Sequence, residues 1–211
     1  MDWTPPQWWW AAWCAVAVAF AIFRQSSPKY FTHLGWALTD YRLLLQSRGE
    51  FTAPWYSGWL QNSMAGLALA LGVAGMSHRC FGAQLSMAAV ARLWALWGTL
   101  MLIRWCAARL WEGISSGEIP GREWALGHRY LVEAMAWWVA PIGLCMTIWS
   151  PEASFIGLYT AAAVWAGSWI LRHRRSFSRI TRLSRHPVEG IFYLCALEFL
   201  PVAVLVRAWQ W

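Results

Sequence analysis

Two charged side chains, Arg92 and Glu198, interrupt stretches of sequence that are otherwise apolar. A charge at the centre of a bilayer costs at least about 2.5 kcal/mol, so each needs a partner or water. At 1.5 Å per helical residue, Arg92 lies about 10 Å and Glu198 about 12 Å from the same predicted membrane surface. The matching depths predict that the two side chains pair. Such a pair serves as a structural lock, a proton relay or part of a substrate site, and the sequence leaves these roles open.

A second group of polar residues is predicted at the opposite membrane surface, and we call it the inner polar cluster. Arg104 is level with Glu133 in this prediction, and the group is extended by His128, Arg129 and Glu189. The alternative is that Arg104, His128 and Arg129 each reach the lipid headgroups independently. The sequence leaves both arrangements open.

Six arginines lie within the 14 residues of the segment 172–185. They are Arg172, Arg174, Arg175, Arg179, Arg182 and Arg185. Arginines in a short connection hold it on the cytoplasmic side of a membrane. Their planar donors also bind lipid phosphates or the carboxylates of a partner protein. We therefore expect this segment to contact lipid or a partner.

The sequence contains no motif for nucleotide, metal or haem chemistry. Glycine-rich phosphate-binding loops and the H-E-x-x-H pattern are absent, and the five cysteines include no C-x-x-C pair. None of the five histidines lies inside a predicted span, so two haem ligands at one depth within the membrane are not expected. Every predicted soluble segment is shorter than 36 residues, too short for a separate catalytic domain. We predict no catalytic residue, metal or cofactor.

The elements that must position these residues are membrane-spanning helices. Hydrophobic residues make up 59% of the 211 residues and charged residues only 13%, well below the share in soluble domains. Apolar blocks of about 20 residues suit helices that cross a hydrocarbon core. We predict an all-α polytopic membrane helix bundle that forms a single integral membrane domain over residues 1–211. Its six predicted spans are 7–23, 58–76, 85–105, 130–149, 155–171 and 187–206.

The connection 24–57 is too polar to span, but part of it is amphipathic. Apolar side chains recur at three- and four-residue steps, as on one face of a helix. They are Phe31, Leu34, Leu38, Tyr41 and Leu45. We predict a helix over residues 29–47. It either lies on the cytoplasmic leaflet as an interfacial helix or packs against the ends of the bundle, and the pattern leaves both open.

Basic residues are distributed unequally between the two sets of connections. Fourteen of the 17 lysines and arginines lie in or beside the connections after the first, third and fifth predicted spans, and two lie on the other side. The positive-inside rule places the basic connections in the cytoplasm. We predict a multi-pass protein of the bacterial inner (cytoplasmic) membrane with both termini periplasmic. Because this topology accounts for the net charge of +7, nucleic acid is not an expected partner.

The C-terminal third also carries a specific pattern. It runs Tyr-Leu-Cys-x-Leu-Glu-x-Leu-Pro from Tyr193 to Pro201 and follows the arginine-rich segment. In this pattern, and in overall length and helical layout, the chain resembles a family of small polytopic inner-membrane proteins of Bacteroidota, catalogued as domain of unknown function 4271. The resemblance implies an uncharacterised bacterial inner-membrane protein and supplies no reaction.

Three functions are compatible with these residues. The lack of a soluble domain or catalytic motif favours a non-enzymatic accessory or structural subunit of a larger membrane complex, whose partners are membrane lipids and other membrane proteins. The second function is a carrier of a small molecule, lipid or proton that uses Arg92 and Glu198. The third is a membrane enzyme that acts on a lipid-linked substrate at the arginine-rich face.

The predicted pair of Arg92 and Glu198 is tested by a double-mutant cycle. We expect Glu198→Gln alone to lower the stability of the detergent-extracted protein, because it leaves the guanidinium without a counter-charge. Adding Arg92→Leu to the same chain should restore much of that stability. The measurement is the temperature at which half of the protein stays monodisperse. Additive losses in the double variant would show that the two side chains do not interact.

Overall fold

A computed structural model describes residues 5–39, 43, 55–82, 84–114 and 121–148, and short helical stretches between 155 and 170 (155–157, 159–160, 162–164, 166–167 and 170). Five helices are defined in this part of the chain, and no strand occurs in it. They are α1 (Gln7–Ser26), α2 (Pro28–Thr39), α3 (Trp55–Phe81), α4 (Met87–Ile114) and α5 (Gly121–Ile148). The predicted all-α class is therefore confirmed for the described residues.

Three of these helices are long and apolar enough to cross a membrane. Their candidate spans are Gly58–Phe81 in α3, Met87–Ala107 in α4 and Arg129–Ile148 in α5. These spans coincide with the predicted spans 58–76, 85–105 and 130–149. The predicted span 7–23 is helical within α1 but is not one of the three. The predicted span 155–171 is described only in part, and 187–206 lies outside the described residues.

The four long helices alternate in direction. Gly58 of α3 contacts Arg129 of α5 at one end of the bundle, and Gly75 adjoins Thr147 at the other, so α3 and α5 are parallel. The rings of Trp59 and Trp105 lie 6.5 Å apart, which places the end of α4 beside the start of α3. We call this end the basic end, because Arg129 and several other basic residues lie there.

The first helix runs antiparallel to α3 and α5. Trp9, near its start, packs beside Gly75, which is close to the end of α3. Phe20, further along α1, contacts Trp137 of α5, with the ring centroids 4.9 Å apart. The end of α1, with Arg24 in its last turn, therefore points towards the basic end.

The core lies between α3 and α5, which pack closely because small residues face each other. A Cβ atom on Gly143 would lie only 2.6 Å from the Cα atom of Gly72. Six consecutive residues of α5, 131–136, are buried, so this helix has neighbours on every side. Other small residues of α3 are used in the same way, since Gly66 accommodates the indole of Trp97 and Ala70 packs in the cluster that contains Trp9.

Helix α2 packs on the bundle along a face that overlaps the predicted stripe, because Leu34 is buried and Phe31 and Leu38 are partly buried against the same cluster. Its buried residues are Tyr30, His33, Leu34 and Ala37, which face α5. Of the predicted apolar stripe, only Leu34 is fully buried in the described part of the helix. Tyr30 and His33, which do not belong to that stripe, contact Glu133 and Tyr130 of α5. Residues 28–39 thus pack against α5, and the position of this helix on the cytoplasmic leaflet stays a prediction.

We expect Gly143→Ala to destabilise the protein by about 1–3 kcal/mol, because the added methyl group would overlap the backbone of α3. Gly98→Ala on α4 is the matched control, since a Cβ atom there meets open space. That change should be neutral or stabilising by up to about 1 kcal/mol through helix propensity. Both are measured as loss of monodisperse protein on heating in detergent. Equal stability of the two variants would contradict the close packing of α3 and α5.

Candidate functional site

A buried polar network joins three helices near the basic end. The Nε of Arg129 donates a hydrogen bond of 2.6 Å to Oε1 of Glu133. The hydroxyl of Tyr30 donates one of 2.8 Å to Oε2 of the same carboxylate. Nη2 of Arg129 donates to the backbone carbonyl of Gly58 at 2.5 Å, and the indole N–H of Trp137 donates to the oxygen of Tyr30 at 3.2 Å. We call these five residues the Glu133 network.

Helical spacing positions the α5 members of the network. Arg129, Glu133 and Trp137 are four residues apart, so their side chains lie on one face of the helix. Tyr30 comes from the buried face of α2, and its contact with Glu133 joins that helix to α5. The third helix, α3, contributes only a backbone oxygen. The absence of a side chain at Gly58 matters here, because a Cβ atom would overlap the guanidinium of Arg129.

Aromatic rings surround the charged groups. The Cζ atom of Arg129 lies 5.5 Å from the ring centroid of Tyr130, a distance suited to a cation–π contact. The rings of Tyr30 and Tyr130 are 6.0 Å apart, and that of His33 lies 5.8 Å from Tyr130. The carboxylate of Glu133 is fully buried beside these rings, which strengthens its electrostatic interactions, while the Arg129 side chain stays 25% exposed.

The arrangement suits a structural lock better than a reactive group. The Glu133 side chain is fully buried, and each of its oxygens accepts a hydrogen bond. Burial raises the pKa of the Tyr30 phenol above its ordinary value, and the nearby Glu133 raises it further, so this hydroxyl remains protonated and donates. A carboxylate whose oxygens are both engaged and that is shielded from water is poorly placed to bind a substrate. Its evident role is to join α2, α3 and α5.

The structure brings together part of the predicted inner polar cluster. Arg129 and Glu133 form an ion pair one helical turn apart. Arg104 is half-buried on α4, and its predicted pairing with Glu133 stays a prediction. The side chain of His128 and the whole of Glu189 lie outside the described residues.

The other predicted site residues are not brought together by the described part of the chain. Arg92 is exposed on α4. Its predicted partner and the arginine-rich segment lie outside the described residues: Glu198, Arg172, Arg174, Arg175, Arg179, Arg182 and Arg185. Within the described residues, no group of three or more His, Cys, Asp or Glu side chains could hold a metal ion.

Three members of the Glu133 network were not predicted. Trp137 could have been found, since it lies one turn beyond Glu133 on the same helical face. Tyr30 lies more than 100 residues away in the sequence, and nothing near it indicates a carboxylate partner. Gly58 takes part through its backbone, which no side-chain pattern reveals.

Comparisons of the chain with protein-family models, with curated proteins and with solved structures find no match. The resemblance to domain of unknown function 4271 therefore stays a prediction.

We expect Tyr30→Phe to lower the free energy of unfolding by about 1–3 kcal/mol, because one oxygen of a buried carboxylate loses its donor. Tyr159→Phe makes the same chemical change at an exposed ring and should stay within about 0.5 kcal/mol of the parent protein. The measurement is again the midpoint of thermal aggregation in detergent. Equal losses of stability in the two variants would show that the hydrogen bond from Tyr30 does not stabilise the fold.

Removing one charge of the ion pair should cost more. We expect Arg129→Leu to destabilise by about 3–5 kcal/mol, because Glu133 would remain buried without its counter-charge. The double variant Arg129→Leu with Glu133→Leu should recover a large part of the loss. A double variant as damaged as the sum of the two single variants would contradict the pairing.

Proposed function

We propose that this chain is a multi-pass protein of the bacterial inner membrane that acts as a non-enzymatic accessory or structural subunit of a larger membrane assembly. The observation that carries the proposal is the open face of α4. Only 17% of its candidate span is buried, against 50% in α3 and 56% in α5. A helix with so few contacts inside the described part of the chain offers a surface to another helix or to lipid.

The composition of this open face suits a helix partner. Ala91, Ala95 and Gly98 are exposed on α4 and recur at steps of four and three residues. Small residues in such a row allow a second helix to approach closely in lipid. Trp94 and Leu102, which are 41% and 50% exposed, flank the row with large apolar surface. Small residues between large ones form a groove that fits the ridge of a partner helix.

The Glu133 network supports the same proposal, because its geometry argues against a carrier. In the described residues, its buried charge is engaged in joining helices and is shielded by aromatic rings. A carrier needs an ionisable group that a cargo or proton can reach from a water-filled path. Glu133 lacks that access, so the network contributes rigidity.

A carrier is the second candidate, and the position of Arg92 favours it. This arginine is exposed on α4, away from the contacts with α3 and α5. A sixth span that brought Glu198 to Arg92 would therefore have to lie along the open face of α4. The same face would then be covered by the chain itself.

Gentle solubilisation of the tagged full-length chain, followed by affinity purification and mass spectrometry, tests the proposal. We expect one or more membrane proteins to co-purify in a fixed ratio. Ala95→Trp should abolish this, because the bulky ring fills the row of small residues on α4. Ala15→Trp, at an exposed position of α1, is the matched control and should retain the partner.

Two results would contradict the accessory role. A single monodisperse species without partners, in several mild detergents, would argue against an assembly. Loss of the folded protein itself in Ala95→Trp would show that this face is covered by the chain's own residues. Uptake of a labelled solute by proteoliposomes, lost in Arg92→Leu, would establish the carrier instead.

A further inference from the structure

A groove lies between α1, α2 and α5, beside the Glu133 network, with which it shares Trp137. Its volume is about 550 Å³, within the range of small-ligand sites. Phe20 comes from α1, Phe31 and Leu34 from α2, and Trp137 and Pro141 from α5. No predicted site residue lines it.

The walls of the groove are apolar and largely aromatic. The ring of Phe20 packs edge-on against Phe31 at 4.8 Å and against Trp137 at 4.9 Å. Two polar groups of the lining are already engaged, since the Trp137 N–H donates to Tyr30 and the Thr39 hydroxyl donates to the carbonyl of Gly35. A ligand would therefore find almost only apolar contact, which selects a hydrocarbon.

The groove is bordered on one side by residues of a candidate membrane span. Trp138 and Pro141, within the span Arg129–Ile148, both line the groove and are exposed, the former by 63%. In a bilayer, this edge faces the hydrocarbon region and not water. An acyl chain could enter sideways without leaving an apolar environment.

A positive charge follows the groove residue Phe20 along α1. Arg24 is exposed and follows Phe20 by one helical turn, so both side chains lie on the same side of α1. A guanidinium in this position suits the phosphate of a lipid headgroup, which it binds with paired hydrogen bonds. The charge of Arg24 and the apolar groove therefore match the headgroup and the acyl chain of a phospholipid.

We propose that this groove binds one acyl chain of an anionic phospholipid, with its headgroup held by Arg24. The proposal requires only that the chain lies in a bilayer, and it stands whether or not the protein is part of an assembly.

The test uses the full-length chain in nanodiscs of phosphatidylglycerol that carries a photoreactive diazirine in one acyl chain. We expect crosslinks, mapped by mass spectrometry, to be concentrated on residues 34–39 and 134–141. Gly35→Phe should remove most of them, because a side chain at Gly35 extends into open space in the groove. Ala15→Phe, at an exposed position of α1 outside the groove, is the matched control and should leave the share of crosslinks in the groove unchanged.

Arg24→Gln provides a second test that does not alter the groove. We expect it to remove the preference for labelled phosphatidylglycerol over labelled phosphatidylcholine while crosslinks to the groove persist. An unchanged preference would overturn the headgroup site. Crosslinks spread evenly over all exposed faces, or unaffected by Gly35→Phe, would overturn the acyl-chain site. A photoreactive side chain at residue 38 that joins peptides of 171–211 would also overturn it, because the chain's own segment would then fill the groove.

Discussion

The buried carboxylate of Glu133 is the constraint on which much of the described structure depends. An ionised carboxylate without partners is too costly inside an apolar bundle, so its surroundings must supply donors. Arg129 supplies one from the same helix, and Tyr30 supplies the other from α2. Since Arg129 also binds the carbonyl of Gly58, satisfying one charge orients three helices. The attachment of α2 to the bundle follows from this requirement.

Close packing of α3 and α5 determines which surfaces remain for other molecules. The two helices approach through Gly72 and Gly143, and at least half of each candidate span is buried. The outer helices then cover only parts of this pair. Helix α4 keeps a broad open face, and the junction of α1 and α2 leaves a groove beside α5. The proposed contacts with a partner and with lipid both arise where the central pair is incompletely covered.

The parts of the candidate site that could be predicted are those encoded within one helix. Arg129 and Glu133 are one turn apart, and periodicity alone puts them on one face. Tyr30 could not be predicted in this way, because its partner is a long-range contact between α2 and α5. The apolar stripe through Phe31 and Leu38 packs against the same cluster as Tyr30 but does not include it. A tyrosine can bury its ring and still donate to a carboxylate, which an apolar pattern does not reveal.

The sequence by itself determined the all-α class, the positions of three apolar helices and the small residues along them, because helix length and hydrophobicity are local properties of the chain. Only the tertiary structure decided that Glu133 binds Tyr30, that Gly58 admits the guanidinium of Arg129, and that α1, α2 and α5 enclose a groove. These features depend on the rotation and separation of neighbouring helices. Such quantities are set by the packing of all the side chains between two helices, and no pattern within either helix specifies them.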